Sequence, residues 1–348
     1  MQISSASSTT FDIRLAETLT TGAGGIGDRG GLSLEVHETN GRIGRGQTAP
    51  IPGMDGPGLE SIAVDIDRWC GTAEATTVAD ALDALASFGG SPLARFAVHT
   101  ALADLASQDA GVPMAQWMRA GAVGSVHANG LVTELNPGAV HSHTLELVSQ
   151  GARAIKLKVG VAESAQDVTR IIAASEAAGP NVALRLDANR AWPREIAERV
   201  IGRVGMHRVD FIEDPTNSPQ EYRGIEESTG VAVAIDVPIT HEPAAAIEAA
   251  NVSVAVIKPA AVGGVDRVID LARSRPDQRI IVTSSIDREV ALAAAIHAAA
   301  ALPTQGDAHG LSTGLLVRNM SASLLPHDGV VAVPTGPGVW SERPTEGD

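Results

Sequence analysis

Between Ala154 and Ala261 the chain repeats one phrase, a short run of Val, Ile, Leu and Ala that ends on a charged residue. The runs are AIKLKVG, ALRLDAN, DFIEDP and VAVAIDVP, and VAVIKPA follows in step. Their charged ends are Lys156 and Lys158, Asp187 with Asn189, Glu213 with Asp214, Asp236, and Lys258. Steps of 29 (158 to 187), 26 (187 to 213), 23 (213 to 236) and 22 (236 to 258) hold one strand, one helix and two short loops, the length of a βα unit. Runs without polar alternation read as strands buried on both faces, as in a parallel sheet covered by helices. Pro193 and Pro243 mark helix starts, and Ser218-Pro219-Gln220-Glu221 reads as a capping box with Pro at the first helical position. Gly179-Pro180 stops a helix begun near Glu163. Five such units in succession, with more before and after, predict a closed barrel whose C-terminal strand ends share one mouth.

The 348 residues, 44% hydrophobic, suffice for a large core in two structural parts. Met1 to Thr9 is polar and expected to fray, and Thr10 to Ala16 reads as a strand. Gly22, Gly24 and Gly27 match G-x-G-x-x-G, but the strand pattern Leu32 to Val36 follows where a dinucleotide fingerprint requires a helix. A mobile loop over 21–31 is expected instead, a lid in which Arg29 meets an anionic substrate. Asn40-Gly41 signals a hairpin, Gly44 to Gly53 a loop, and Thr77 to Met118 a helical stretch punctuated by Gly90 and Pro113. The first barrel strand is expected at His127 to Leu131. After Lys258 come a helix near Val265 to Ser274, a strand Arg279 to Val282 ending on Thr283-Ser284-Ser285, and a helix from about Asp287. Gly310 to Gly314 ends a weaker eighth strand. The tail, with Pro326, Pro334, Pro337 and Pro344, has no core of its own and is expected to pack on the first part. The resulting division is 1–118, 119–318 and 319–348.

A net charge of −15 argues against nucleic acid and anionic membranes as partners. Cys70, the single cysteine, excludes an internal disulfide and argues against a thiolate metal site. No N-terminal run resembles a signal peptide and none of the Ala-rich stretches is long enough to span a bilayer, so a cytoplasmic location is expected.

Asp187, Glu213 and Asp236 end three consecutive strands, about one strand spacing apart. Without a cation they would raise one another's pKa values, so a hard divalent ion is the natural solution. An all-oxygen donor set points to Mg²⁺ or Mn²⁺ rather than Zn²⁺. Lys156 and Lys158 lie two residues apart and so face one side of their strand, while Lys258, four strands on, approaches from the other side. A lysine base must be neutral near pH 7, and a second ammonium, a dication and desolvation all push its pKa down. Metal plus lysine is a device for removing a proton α to a carboxylate, which makes a small-molecule carboxylate the expected partner. Among the histidines, His309 is kept as a candidate for the cavity wall.

These residues resemble the enolase superfamily, in its muconate-lactonizing-enzyme-like subgroup: K-x-K, then Asp, Glu and Asp, then Lys. Ser91 to Pro113 is similar to the superfamily's helix leading into the barrel. Arg185-Leu186-Asp187-Ala188-Asn189-Arg190-Ala191-Trp192, the loop Gly46 to Gly53, Ser284-Ser285 and Gly310 to Leu316 resemble, more narrowly, the o-succinylbenzoate synthase family. The resemblance implies a (β/α)7β modified TIM barrel, with an N-terminal α+β capping domain completed by the C-terminal tail. It implies syn dehydration of 2-succinyl-6-hydroxy-2,4-cyclohexadiene-1-carboxylate in menaquinone biosynthesis. Lys158 is then base and acid, Lys258 the stabilising cation on the other face, Lys156 the group that tunes Lys158, and Asp187, Glu213 and Asp236 the Mg²⁺ ligands. Arg29, Pro52, Arg185, Asn189, Thr283, Ser284, Ser285, Ser312, Thr313 and Gly314 are the implied substrate contacts. Two departures stand out: Gln47 where relatives commonly carry Glu, and the charged Asp287-Arg288-Glu289, in which Asp287 is expected as a helix N-cap. Three other readings stay open: racemisation of N-succinylamino acids, muconate cycloisomerisation, and a barrel that binds without turnover. Dipeptide epimerisation is disfavoured, since Gly310 to Gly314 lacks the Asp-x-Asp it typically carries.

Overall fold

The computed structural model describes residues 2–21, 24–52, 56–204 and 209–341. Strand β1 (Ile3–Ile13), a small hairpin of β2 (Leu19–Thr21) and β3 (Gly24–Ile26), β4 (Arg29–Glu38) and β5 (Ile43–Thr48) come first. β1, β4 and β5 form an antiparallel sheet in that order, and the β4–β5 turn carries Gly41 at φ +90°. Helices α1 (Leu59–Ala73), α2 (Val78–Ala84), α3 (Pro92–Asp109) and α4 (Met114–Met118) complete this part. α3 starts on Ser91, whose Oγ accepts from Ala94 N, with Pro92 in the first turn. β5 lies directly on α3, because a Cβ on Gly46 would stand 1.9 Å from Ala97 O and only glycine permits that approach.

The second part alternates strand and helix: β6 (Ser125–Ala128), β7 (Gly130–Val132), α5 (Pro137–Ser149), β8 (Ala154–Lys158), α6 (Ser164–Ala178), β9 (Ala183–Asp187), α7 (Arg194–Val204) and β10 (Val209–Glu213). It continues through α8 (Tyr222–Thr229), β11 (Val233–Asp236), α9 (Pro243–Ala250), β12 (Val254–Ile257), α10 (Pro259–Val262), α11 (Val265–Ser274), β13 (Arg279–Val282), α12 (Glu289–Ala300), β14 (Ala308–His309) and β15 (Val330–Ala332). β7 to β13 form one parallel sheet in sequence order. β14 pairs with β6, which continues through Asn129 into β7, and Thr283 bridges Gly310 beyond β14, so the sheet closes. The fold is a (β/α)7β modified TIM barrel with an α+β capping part. β15 adds antiparallel to β6, while Val339 N donates to Asp104 Oδ1 on α3, which docks the tail. No described helix is long and apolar enough to cross a membrane.

Side chains alternate along the barrel strands. Ile155, Leu157, Leu184, Leu186, Ile212 and Ile257 face the helices within the main core. Phe211, Ala234, Val254, Val256 and Ile281 form a second, inner cluster. Below it, Arg185 and Arg279 lie 4.9 and 5.6 Å from the Phe211 ring and pair with Asp210 and Asp307.

Several expectations need correction. The end expected to fray over Met1 to Thr9 is ordered from Ile3 to Thr9, with Met1 outside the described residues: β1 begins at Ile3 and pairs with β4, because an edge strand with one wet face can be built from Ser and Thr. Arg29 opens β4, and the glycine-rich stretch forms the β2–β3 hairpin; Gly22 and Ala23 lie outside the described residues. The strand expected at 127–131 is interrupted at Asn129. Pro219 opens a 3-10 turn before α8, and Ser218 Oγ bonds Gln220 rather than a backbone N–H, so there is no capping box. α12 starts at Glu289, and Asp287 does not cap it. Pro344 and Gly53 lie outside the described residues.

His297 on α12 joins three segments. Its Nδ1 accepts from Ala115 N on α4, and its Nε2 donates to Val339 O in the tail. Burial pushes this imidazole down to about 4. The unfolded chain takes up the proton near pH 6.5 and the folded ring only near 4, so stability present above 6.5 is lost as pH falls through that window. The loss for this group is up to about 3 kcal/mol. Urea unfolding from pH 7 to 4 should show it, and His297→Gln should flatten the profile; an unchanged slope contradicts this assignment.

Candidate active site

The inward positions at the C-terminal ends of β8 to β12 carry the charges. Lys158 stands opposite Asp187, and Asp187 opposite Glu213, across β8, β9 and β10. Lys156 Nζ lies 2.7 Å from Asp187 Oδ2 and 2.8 Å from both Glu213 oxygens. Lys158 Nζ donates to Asp187 Oδ2 at 2.6 Å and to Asn189 Oδ1 at 2.9 Å. Lys258, just after β12, forms a close ion pair with Asp236 at the end of β11. The structure thus gathers the three lysines and three carboxylates at one mouth.

Burial lowers the Lys156 ammonium, but Asp187 and Glu213 outweigh it and hold Lys156 above its usual range. Burial likewise raises Asp187, yet Lys156 and Lys158 hold it well below the carboxylate range. Glu213 is pushed up to about 8, by burial and then by Asp187, against the opposing pull of Lys156. The three lysines match the three carboxylates in number, but burial and the neighbouring carboxylates still leave Glu213 raised.

Behind this layer stands Asp214. Its Oδ2 accepts from Arg190 Nε at 2.8 Å, and its Oδ1 accepts from Asp236 N and from the hydroxyl of Tyr222, the chain's one tyrosine. Asn189, Arg190 and Asp214 sit at φ of 46°, 64° and 43°, and Asn and Asp tolerate that region. Asn189 N also donates to Asp187 Oδ1. These bonds fix the strand ends that aim the inner carboxylates.

The cavity above is walled on one side by Pro52, Ile51, Leu19 and Ile26 from the first part, and on the other by Thr283, Ser284, Ser285, Ser312 and Thr313. Asn189 lines it as well. Thr283 Oγ1 donates to Gly310 O and Ser312 Oγ to Asn129 O, while Ser284 and Thr313 hydroxyls bond each other closely. Arg29, Arg185 and Gly314 do not line the cavity. Arg185 belongs to the ion-pair layer at the far end of the barrel, and Gly314 packs against Leu292 and Leu325. Arg29 reaches the carbonyls of Ser285 and Ile286. His309 is buried below the mouth, accepting from Val282 N. Sequence reasoning missed Asn129, Leu19 and Ile286, while Ile26 falls in the 21–31 stretch expected to cover the site; of the three, only Asn129, an amide inside an apolar run, left a signal.

Among the described residues no three His, Cys, Asp or Glu side chains already surround one point as metal ligands. The inner carboxylates face ammonium groups instead. Their chemistry nonetheless fits a hard divalent cation: all-oxygen, anionic, and carried by three neighbouring strands.

Residues 139–340, more than half of the chain, match the family described as enolase C-terminal domain-like. The chain belongs to that family. The enolase-like segment contains all six charged residues of the mouth, while the walls at Leu19, Ile26, Ile51 and Pro52 lie before it. Curated relatives include the o-succinylbenzoate synthase of Mycobacterium ulcerans (strain Agy99), 32% identical over 217 residues, covering 60% of this chain and 64% of that protein. The o-succinylbenzoate synthase of Mycolicibacterium smegmatis is 33% identical over 189 residues, covering 53% and 58%. The chain thus spans under two thirds of the length of these relatives. Solved structures of like fold include the L-Ala-D/L-Glu epimerase from Bacillus subtilis, TM-score 0.88 at 20% identity over 98% of each chain. The N-succinyl Arg/Lys racemase from Bacillus cereus matches at TM-score 0.88 and 19% identity, over 97% of this chain and 95% of that one. These two likenesses concern the fold.

An ion that binds only the folded state stabilises it, by about 2.7 kcal/mol at a hundredfold excess over Kd, so added Mg²⁺ is expected to raise the melting temperature. Asp236→Ala should abolish the shift. A shift that survives the substitution would place the ion elsewhere.

Proposed function

We propose that this protein catalyses the Mg²⁺-dependent syn dehydration of 2-succinyl-6-hydroxy-2,4-cyclohexadiene-1-carboxylate to o-succinylbenzoate, a step of menaquinone biosynthesis. The observation that carries the proposal is the pair Lys158 and Lys258, reaching one cavity from β8 and from the end of β12 with Asp187, Glu213 and Asp236 between them. The curated relatives named for this reaction support the choice of substrate.

Lys158, as the neutral amine, takes the proton from the carbon α to the ring carboxylate. The C–H bond breaks and its electron pair delocalises into the carboxylate as an enediolate. Lys158, now protonated, gives that proton to the departing hydroxyl on the same face, so the C–O bond breaks, water leaves and the ring becomes aromatic. Lys258 faces the developing anion from the other side and stabilises it electrostatically. Asp187, Glu213 and Asp236 would hold Mg²⁺, which supplies positive charge to the substrate carboxylate as its second negative charge builds. Lys156 stays an ammonium and keeps Asp187 ionised. Asn189 holds Lys158 Nζ in place. The apolar wall of Leu19, Ile26 and Ile51 excludes water from the ring.

A second reading, racemisation of N-succinylamino acids, is favoured by the same pair of lysines, because a 1,1-proton transfer needs a base on each face of one carbon. Loss of diene absorbance separates the two. Purified protein with Mg²⁺ should consume the cyclohexadiene substrate, chelator should stop it, and Lys158→Ala should lower kcat at least about a hundredfold with circular dichroism unchanged. Near wild-type turnover in Lys158→Ala would contradict the base assignment. No turnover by folded wild-type protein would move the assignment to racemisation, read as solvent deuterium incorporation at the α-carbon.

A further inference from the structure

We propose that Arg29 is a positioning residue that clamps the turn after β13 in a strained shape and thereby sets one wall of the cavity. Arg29 opens β4 in the antiparallel part and is buried. Its Nη2 donates to Ser285 O at 2.5 Å and to Ile286 O at 2.8 Å, across 256 and 257 positions of chain. Between those carbonyls Ile286 takes φ +60°, a conformation that a β-branched side chain resists. Such a turn persists only where its surroundings over-determine it.

Three further contacts do so. Asp287 Oδ2 accepts from Ser285 N at 2.8 Å and closes the turn from its other end. The Ile286 side chain packs with Ile13, Leu15 and Val317, which joins it to the strand that precedes the roof hairpin. Gln47 Oε1 accepts from Val290 N in the first turn of α12, whose N-cap Arg288 provides no side-chain capping bond. Two side chains of the capping part, Arg29 and Gln47, thus hold the β13–α12 connection. The turn matters because Ser285 and Ile286 both line the cavity. Arg29 itself does not, so it acts on a ligand through these two residues. Asp28, its neighbour, accepts from Leu15 N, which ties the root of the β2–β3 hairpin to the clamp. The roof and the β13 wall are therefore mechanically linked, and the capping part contributes to substrate fit beyond the residues that touch the ligand.

The test compares wild type, Arg29→Met and Arg29→Lys. Hydrogen exchange, which needs no substrate, should quicken at least about tenfold at amides 284–290 in Arg29→Met while the inner barrel strands keep their protection. Arg29→Lys retains a donor and should stay within about threefold of wild type. The kinetic arm rests on the proposed dehydration: Arg29→Met should raise KM about tenfold and leave kcat within about threefold. If the wild type fails to dehydrate the diene, that reading falls and the exchange arm still decides the role of Arg29. Unchanged exchange at 284–290, an equal rise throughout the chain, or a fall in kcat with KM unmoved would each overturn the proposal.

Discussion

The Lys156 ammonium, shared between Asp187 and Glu213, is the interaction on which the mouth depends. Both carboxylates are almost fully buried, and a buried charge left without a partner costs several kcal/mol. Lys156 can reach them only because β8, β9 and β10 are adjacent, parallel and in register. That register in turn rests on outward Ile155, Leu157, Leu184, Leu186 and Ile212 packing under the helices. A one-residue slip of any of these strands would exchange a charged residue of the mouth for a core aliphatic.

The barrel interior is layered by charge. At one end Arg185 and Arg279 are matched by Asp210 and Asp307 and seal the barrel. In the middle Phe211, Val254, Val256 and Ile281 form a dry plug. At the other end three carboxylates meet three ammonium groups, and Glu213 remains raised toward neutrality. Balance at the closed end and strain at the open end are what separate a structural ion-pair layer from a site able to accept a cation and a carboxylate ligand.

Much of this was legible because the barrel strands carry two signals at once. Apolar residues at outward positions marked the strands, and charged residues at the inward, C-terminal positions marked the mouth, so Lys156, Lys158, Asp187, Glu213, Asp236 and Lys258 could be named from spacing. Arg185 obeyed the same inward alternation, but spacing does not tell which end of a strand a long side chain serves. Arg29 was misplaced for another reason: its partners are backbone carbonyls, which leave no trace in residue identity. The polar β1 strand was hidden because an edge strand with one wet face lacks the apolar run that betrays a central one. Leu19 and Ile26 line the cavity through a hairpin whose glycine-rich sequence is uninformative about its shape.

The proposed dehydration requires the three carboxylates at the mouth to exchange their lysine partners for one divalent ion. Anomalous diffraction from crystals grown with Mn²⁺ tests it most directly. One strong peak is expected, bonded to oxygens of Asp187, Glu213 and Asp236, with Lys158 and Lys258 turned toward the cavity. A mouth without a peak, its carboxylates still paired to the three lysines at saturating Mn²⁺, would contradict it.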